Sequence, residues 1–389
     1  MKKTYGLDFW LLSSSSYLFF ASFSMIIAEL PGYLRSLGGE QYLGLIVSLF
    51  TLTAGISRPF SGKLTDQWGR IPVMIIGAVV SGLAALLYPV LASVAGFLLV
   101  RLLHGFSTGF KPTGTSAYVA DIVPANRRGE ALGILSMFGT IGMASGPVVG
   151  SWIFLTFGIN TLFYISSVFA VGSVAILVGM KETLKERNKF SLAMLLISKS
   201  DIYEPSVLIP SIVMVLTTFS FGTVITLSPD FSEYLGIENK GLFFSYFTGA
   251  SLLVRIIGGR LSDLYGRKSV LLISTSMLFV SMLVIGLATN TFQFFTGACL
   301  FGIGYGLNSP TLFAWAIDLT SDKSRGKGIS TIFLFLEIGI GFGAFITGSL
   351  YQGVDERFPI LFGSAGVLSL FAFVYLLVKQ DKTRQPISI

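Results

Sequence analysis

Charge is scarce in this chain. Asp, Glu, Lys and Arg together make up 12% of 389 residues, about half of what a soluble domain carries. The deficit excludes a water-facing surface over most of the sequence. There is one cysteine, Cys299, so an internal disulfide is impossible and a free, buried thiol acting as a small hydrophobe is expected. There is also one histidine, His104. No metal-ligand cluster, glycine-rich nucleotide loop or nucleophilic triad is present, so catalytic residues, cofactors and resident metals are not expected. A cleavable signal is missing too. The first apolar stretch carries Glu29 and runs into Pro31-Gly32 without a small-residue cleavage site, which reads as a retained helix.

What the chain has instead is apolar length. Hydrophobic residues make up 52% and there are 44 glycines, a composition suited to close helix packing in lipid. Twelve apolar stretches between about residue 9 and residue 378 approach the ~20 residues a spanning helix needs. An even number puts both termini on one side. With that side cytoplasmic, the inner loops and tails hold all 27 Lys and Arg but seven. Arg35, Lys240 and Arg357 lie outside, and Arg58, Arg101, Lys111 and Arg255 lie in or at the ends of spans. The reverse orientation would invert a strong positive-inside bias. The net charge of +7 therefore reflects topology and anionic lipid, not a nucleic-acid surface.

One short motif occurs twice. Gly62-Lys-Leu-Thr-Asp66-Gln-Trp-Gly69-Arg70 returns as Gly259-Arg-Leu-Ser-Asp263-Leu-Tyr-Gly266-Arg267, an offset of 197 residues from Asp66 to Asp263. The same register pairs Arg58 with Arg255, Gly105 with Gly302, Gly109 with Gly306, Asp121 with Asp318, Arg128 with Arg325 and Gly129 with Gly326. Chance likeness between apolar helices does not align charges so consistently. The expectation is an all-α polytopic membrane protein of two pseudo-symmetric six-helix bundles, residues 1–180 and 206–389. A cytoplasmic linker, 181–205, joins them, and its apolar piece Phe190 to Ile197 is expected to form a small helix on the membrane surface. Parallel repeats of this kind place a cavity near the midplane.

On these motifs the chain resembles the major facilitator superfamily, over essentially its whole length. The doubled loop is that superfamily's signature. Arg101-Leu-Leu-His-Gly105-Phe-Ser-Thr-Gly109 is similar to a motif of its drug:proton antiporter branch. So is Gly142-Met-Ala-Ser-Gly146-Pro147-Val-Val-Gly150-Ser151, with Ser151 where a further glycine is common. The resemblance implies a twelve-helix major facilitator fold. It also implies a latch at the inner side, with Asp66 and Arg70 stabilising the outward-facing state through spans four and eleven, and a part for Arg101 in proton transfer.

Ionisable groups inside spans are costly and usually face a cavity or partner. The candidates for coupling and cavity roles are Glu29, Arg101, His104, Lys111 and Glu337. Arg101, His104, Thr108, Lys111, Pro112 and Thr115 fall within one arc of about 100° on a helix, a polar stripe expected to line the cavity. Lys111 could pair with Glu29 or Glu337, or attract an anionic substrate. Glu29 shares a face with Met25, Ser22 and Ser15. Gly139, Gly142, Gly146 and Gly150, with Pro147 bending the helix, form a bare packing face against which span eight is expected to fit. In the 197-residue register Arg101 maps to Ala298, His104 to Phe301, Lys111 to Asn308 and Glu337 to Thr140, so the core chemistry is not duplicated.

The function expected is proton-coupled efflux of small hydrophobic or amphipathic compounds by alternating access. The protein would act as a monomer in a bacterial plasma or inner membrane, with small-molecule substrate, protons and membrane lipids as its partners and no nucleic acid. Transport of a specific metabolite, sugar or anion, or flipping of a lipid-linked substrate, remains open.

Overall fold

The computed structural model describes residues 5–124, 128–184, 187–196, 203–320 and 325–379. Linker residues 185–186 and 197–202, the side chains of the expected Arg128–Arg325 pair, and inner-side basic residues such as Lys2, Lys3, Arg127 and Lys323 lie outside the described residues. Among the described residues there is no strand. Twelve helices of 19 residues or more are present there: α1 (Leu7–Met25), α3 (Leu45–Gln67), α4 (Arg70–Val90), α5 (Val94–Ile122), α6 (Arg128–Phe157), α7 (Ile159–Val178), α8 (Leu208–Tyr234), α9 (Leu242–Tyr265), α10 (Arg267–Gly286), α11 (Thr291–Leu319), α12 (Arg325–Tyr351) and α13 (Phe358–Val378). A short α2 (Leu30–Ser36) continues α1 after a break. Among the described residues nine spans have the length and apolarity to cross a membrane. The other three long helices, α5, α9 and α11, run for 29, 24 and 29 residues.

The chain divides into two compact units, residues 1–198 with 232–245 and residues 199–231 with 246–389. In the first, α1 packs on α6 and α7, α3 on α5, and α4 on α5 and α7. These contacts are close because glycines permit them. Gly105 and Gly109 of α5 lie against Phe50, Thr53, Ala54 and Ser57 of α3, where an added Cβ would meet backbone. Serines stitch α1 to α7. The Ser22 hydroxyl donates to the Ser166 carbonyl at 2.7 Å and the Ser166 hydroxyl returns to the Ser22 carbonyl at 2.8 Å; Ser15 and Ser173 repeat the exchange.

The second unit, in which α10 packs on α11 and α13, follows the same rule at the same register. Gly302 lies against Phe247 and Ala250 of α9, and Gly306 against Ser251 and Val254. Phe50 plus the repeat offset is Phe247, and Ala54 plus the offset is Ser251. The internal duplication is therefore a duplication of helix contacts as well as of letters.

The described part of the linker keeps only a short helix within the piece from Phe190 to Ile197. Leu192–Leu195 makes a 3-10 turn, and buried Met194 packs with Leu64 and Val73. Trp68 meets Phe190 at 5.5 Å, and the Asn188 N–H donates to the Gln67 carbonyl at 2.9 Å. Eight residues are too few for a stable helix on their own, and the inner ends of α3 and α4 offer an apolar seat instead.

Just before this, the Glu182 carboxylate caps α4. It accepts the N–H groups of Arg70 and Ile71, each at 3.0 Å, and those of Thr183 and Leu184, and it pairs with Arg187 at 3.2 Å. Burial works against its charge. The N–H donors of Leu184, Arg70 and Ile71, with Arg187, outweigh that and hold its carboxyl below the ordinary value. A depressed folded pKa stabilises fully above the unfolded value near 4.5 and is lost as pH falls through the lower folded value. Glu182→Gln is expected to cost about 1 kcal/mol at neutral pH. Thermal unfolding of both proteins in detergent should show that gap closing below about pH 4; a gap independent of pH would remove the cap's charge from the account.

Candidate functional site

Each copy of the loop motif is built around one arginine. Arg70, at the start of α4, donates from Nη1 to Asp66 Oδ1 (2.8 Å) and to the Thr65 carbonyl, and from Nε to Asp121 Oδ2 at the end of α5 (3.1 Å). Arg267, at the start of α10, donates from Nη1 to Asp263 and to the Ser262 hydroxyl, and from Nε to Asp318 Oδ2 (2.9 Å). Every partner recurs at the repeat offset. A planar guanidinium can serve three acceptors in fixed directions, which an ammonium cannot do. The preceding residue turns the chain sharply, with φ +146° at Gly69 and +86° at Gly266, values that favour glycine. Gly62 lies in α3 with open space beside its Cα, and Gly259 falls in α9. Asp66 and Asp263 thus find their basic partner inside their own motif.

The polar stripe on α5 is buried inside the first unit. Arg101 is 3% exposed and His104 and Lys111 are fully buried. Arg101 Nε donates to the Ile46 carbonyl of α3 (2.6 Å) and Nη1 donates to Tyr88 Oη of α4 (3.2 Å), with the guanidinium 4.6 Å from the Phe50 ring. His104 stands between Tyr88 Oη, 3.3 Å from Nδ1, and Ser81 Oγ, 3.2 Å from Nε2. Since Tyr88 accepts from Arg101, its own proton can go to Nδ1, and Nε2–H then donates to Ser81. Lys111 Nζ donates to Ser16 Oγ of α1 at 2.9 Å and lies 5.4 Å from the Phe19 ring.

Among the described residues of the first unit no carboxylate reaches Lys111, so the pairing with Glu29 considered from sequence is not made. Glu29 lies beyond the end of α1, roughly 15–20 Å along the axis from Ser16. The face shared with Ser22 and Ser15 also ends there, because the chain leaves the helix after Met25. Glu29 is 3% exposed, and its Oε1 accepts from Ser151 Oγ of α6 at 2.5 Å. Ser151 Oγ in turn accepts the Gly241 N–H at 3.2 Å.

The bare face of α6 meets α1, not span eight. Gly142 lies against the Tyr17 carbonyl, Gly146 against Ala21 and Ser24, and Gly150 against Met25. Span eight touches α6 through its outermost residues on a different face: Gly241 seats on the Pro147 carbonyl, Asn239 donates to the Val148 carbonyl (3.2 Å) and Ser245 donates to the Ala144 carbonyl (3.0 Å).

In the second unit the positions matching the α5 network are apolar. Ala298, Phe301, Leu278 and Ile285 stand where the first has Arg101, His104, Ser81 and Tyr88, and all four are fully buried. Asn308, the counterpart of Lys111, bonds Thr217 at 3.1 Å and Ser274 at 3.1 Å. Glu337 is 9% exposed on α12 and within electrostatic reach of Tyr305, as is Arg255. Tyr305 stacks on Phe221 at 4.6 Å beside Phe247 and Phe301. Among the described residues no group of three His, Cys, Asp or Glu could hold a metal ion. Tyr88, Ser81 and Glu182 were not picked out from sequence. The repeat alignment carries their signal, since each is polar or acidic where its partner is Ile285, Leu278 or Lys379.

A sequence model of the Major Facilitator Superfamily matches residues 12–239 and 210–388. The chain belongs to the Major Facilitator Superfamily. It is 27% identical over 353 residues to the multi-drug resistance efflux pump PmrA of Streptococcus pneumoniae, covering 87% of this chain and 86% of that one. It is 25% identical over 392 residues to multidrug resistance protein 2 of Bacillus subtilis, covering 96% and 95%. The crystal structure of a D-xylose-proton symporter superposes with a TM-score of 0.78 at 16% identity, covering 95% of this chain and 97% of that one, a likeness of fold alone. The superfamily protein is a multi-pass membrane transporter and not an enzyme. Its paired arginine sites yield a test. Arg70→Lys keeps the charge but lacks the planar fork that holds Asp66, the Thr65 carbonyl and Asp121 together, and should lower transport about tenfold at unchanged membrane abundance. Transport at the unsubstituted rate would separate the motif geometry from function.

Proposed function

We propose that this transporter is a proton-coupled efflux antiporter for small hydrophobic or amphipathic compounds, working by alternating access in a bacterial plasma or inner membrane. It would act as a monomer, with bundles 1–180 and 206–389 moving about the linker 181–205. The observation that carries the reading is Glu29: a buried carboxylate within the first span whose hydrogen-bond partner is a neutral hydroxyl. Such a group can gain or lose a proton without breaking an ion pair, which Asp66, Asp121, Asp263 and Asp318 cannot do. Outward direction is supported by the efflux pumps among its relatives. Substrate enters from the cytoplasm, a proton taken up by Glu29 from outside favours its release, and loss of that proton inward resets the cycle. Antiport results when proton and substrate bias one conformational balance in opposite senses. Glu337 is the second carboxylate candidate. Lys111 supports the other reading, export of an acidic compound: a buried ammonium with one hydroxyl partner is stabilised by an arriving anion.

Purified protein in liposomes, with an imposed pH gradient and a panel of neutral, cationic and acidic amphipaths, tests this. Glu29→Gln should lower proton-driven substrate accumulation at least about tenfold while downhill substrate movement persists. Unchanged proton movement in both Glu29→Gln and Glu337→Gln would reject both carboxylates, and acidic substrates alone moving would select the second reading.

A further inference from the structure

Three hydrogen bonds tie the α8–α9 connection and the first turn of α9 to the carbonyl face and outer end of α6. Two of them, from Asn239 to the Val148 carbonyl and from Ser245 to the Ala144 carbonyl, join neutral groups. The third passes through Ser151, whose hydroxyl donates to Glu29 and accepts from the Gly241 N–H. We propose that Ser151 is a positioning residue that couples the charge of Glu29 to this connection, holding it on α6 while Glu29 is ionised and loosening it when Glu29 takes up a proton. The inference rests on the reading of Glu29 as the coupling carboxylate, and adds the route by which its charge is felt.

The chemistry is that of a hydroxyl with one proton and two lone pairs. An ionised Glu29 draws the Ser151 proton and makes that bond charge-assisted, about twice as strong as a neutral one. The polarised oxygen then accepts the Gly241 N–H more strongly, since hydrogen bonds in a chain reinforce one another. A protonated Glu29 becomes a donor itself. Ser151 loses the anion that oriented it, and its own proton turns to the carbonyl of the preceding turn, as serines in helices commonly do. The Gly241 N–H, which Ser151 shares with Asn239 Oδ1 at 3.0 Å, is then left to Asn239 without any side chain moving far. The charged groups facing Glu29 are Lys240 on the connection, which favours its ionised form, and Glu233 at the end of α8, which opposes it. Those two pair with each other at 2.6 Å, and Arg35 of α2 acts on Glu233. The hydrogen-bond partner of Glu29 itself is Ser151.

The test places a reporter thiol at buried Phe244 in a Cys299→Ser background and measures its labelling from outside in liposomes between pH 5.5 and 8.5. With Ser151 and Glu29 intact, labelling corrected for thiol ionisation should rise about three- to tenfold towards low pH. Ser151→Ala and Glu29→Gln should each label fast with no pH profile, the double variant should match the singles, and Ser151→Thr should restore the profile. Amide protection of residues 236–244 in protein without the added thiol gives the same comparison should Phe244→Cys disturb the fold. A Ser151→Ala protein that keeps the pH profile overturns the inference, even if Glu29→Gln abolishes coupling. If no substrate moves protons yet labelling follows pH through both residues, the coupling reading fails and the role of Ser151 stands.

Discussion

Lipid tails are as apolar as leucine, so the helices of this protein gain little from being hidden from them. What holds each unit together is close approach, and close approach depends on the missing Cβ. At Gly105 and Gly302, and again at Gly109 and Gly306, the neighbouring helix presents backbone carbonyls or serine and threonine hydroxyls where any side chain would have to go. The same holds along α6, where Gly142, Gly146 and Gly150 bring α1 against the backbone. Between α1 and α7 short hydroxyls do the joining instead, in the reciprocal Ser15–Ser173 and Ser22–Ser166 pairs. Dispersion and satisfied polar groups then do what burial of apolar surface does in water.

Against that duplicated scaffold the differences between the two units carry information. A fold that needs Arg101, His104, Tyr88 and Ser81 for packing would need them twice. The second unit fills the matching sites with Ala298, Phe301, Ile285 and Leu278, all fully buried. Burying an arginine–tyrosine–histidine–serine chain is harder than burying four apolar side chains, because each polar atom must find its partner. Selection for stability alone favours the second solution. The same reasoning applies at the inner end, where the Glu182 carboxylate caps α4 while the corresponding Lys379 offers its carbonyl to Lys268.

Much of this was legible in the chain. The doubled motif, the register of the repeat and the α5 stripe are properties of one sequence compared with itself, and Asp66 four residues before Arg70 announces their pairing. The neighbours of a helix are not legible in this way. The glycine face on α6 is plain in the spacing, but the pattern of one helix does not name the helix that fills it, and α1 rather than span eight does so. The Glu29 face failed for another reason. Helical phase does not extend past Met25, where α1 ends, and Pro31 belongs to the first turn of the next helix, α2. Asp121 completing the Arg70 site, and Ser151 meeting Glu29, are contacts across long sequence separation that no local spacing encodes.

These placements separate two kinds of buried ionisable group. Arg101 carries only donors, and its bonds to the Ile46 carbonyl and Tyr88 bind α5 to α3 and α4. Moving a proton through that network would leave donors without acceptors inside the unit, so its natural effect is rigidity. Glu29 rests instead at a break in the first span, against a hydroxyl that can serve as donor or acceptor. On the reading proposed here, a stiff α5 network and a carboxylate at a break in the first span are complementary. Alternating access requires units that move as bodies, and a proton can bias that motion only through a contact that changes while the bodies do not.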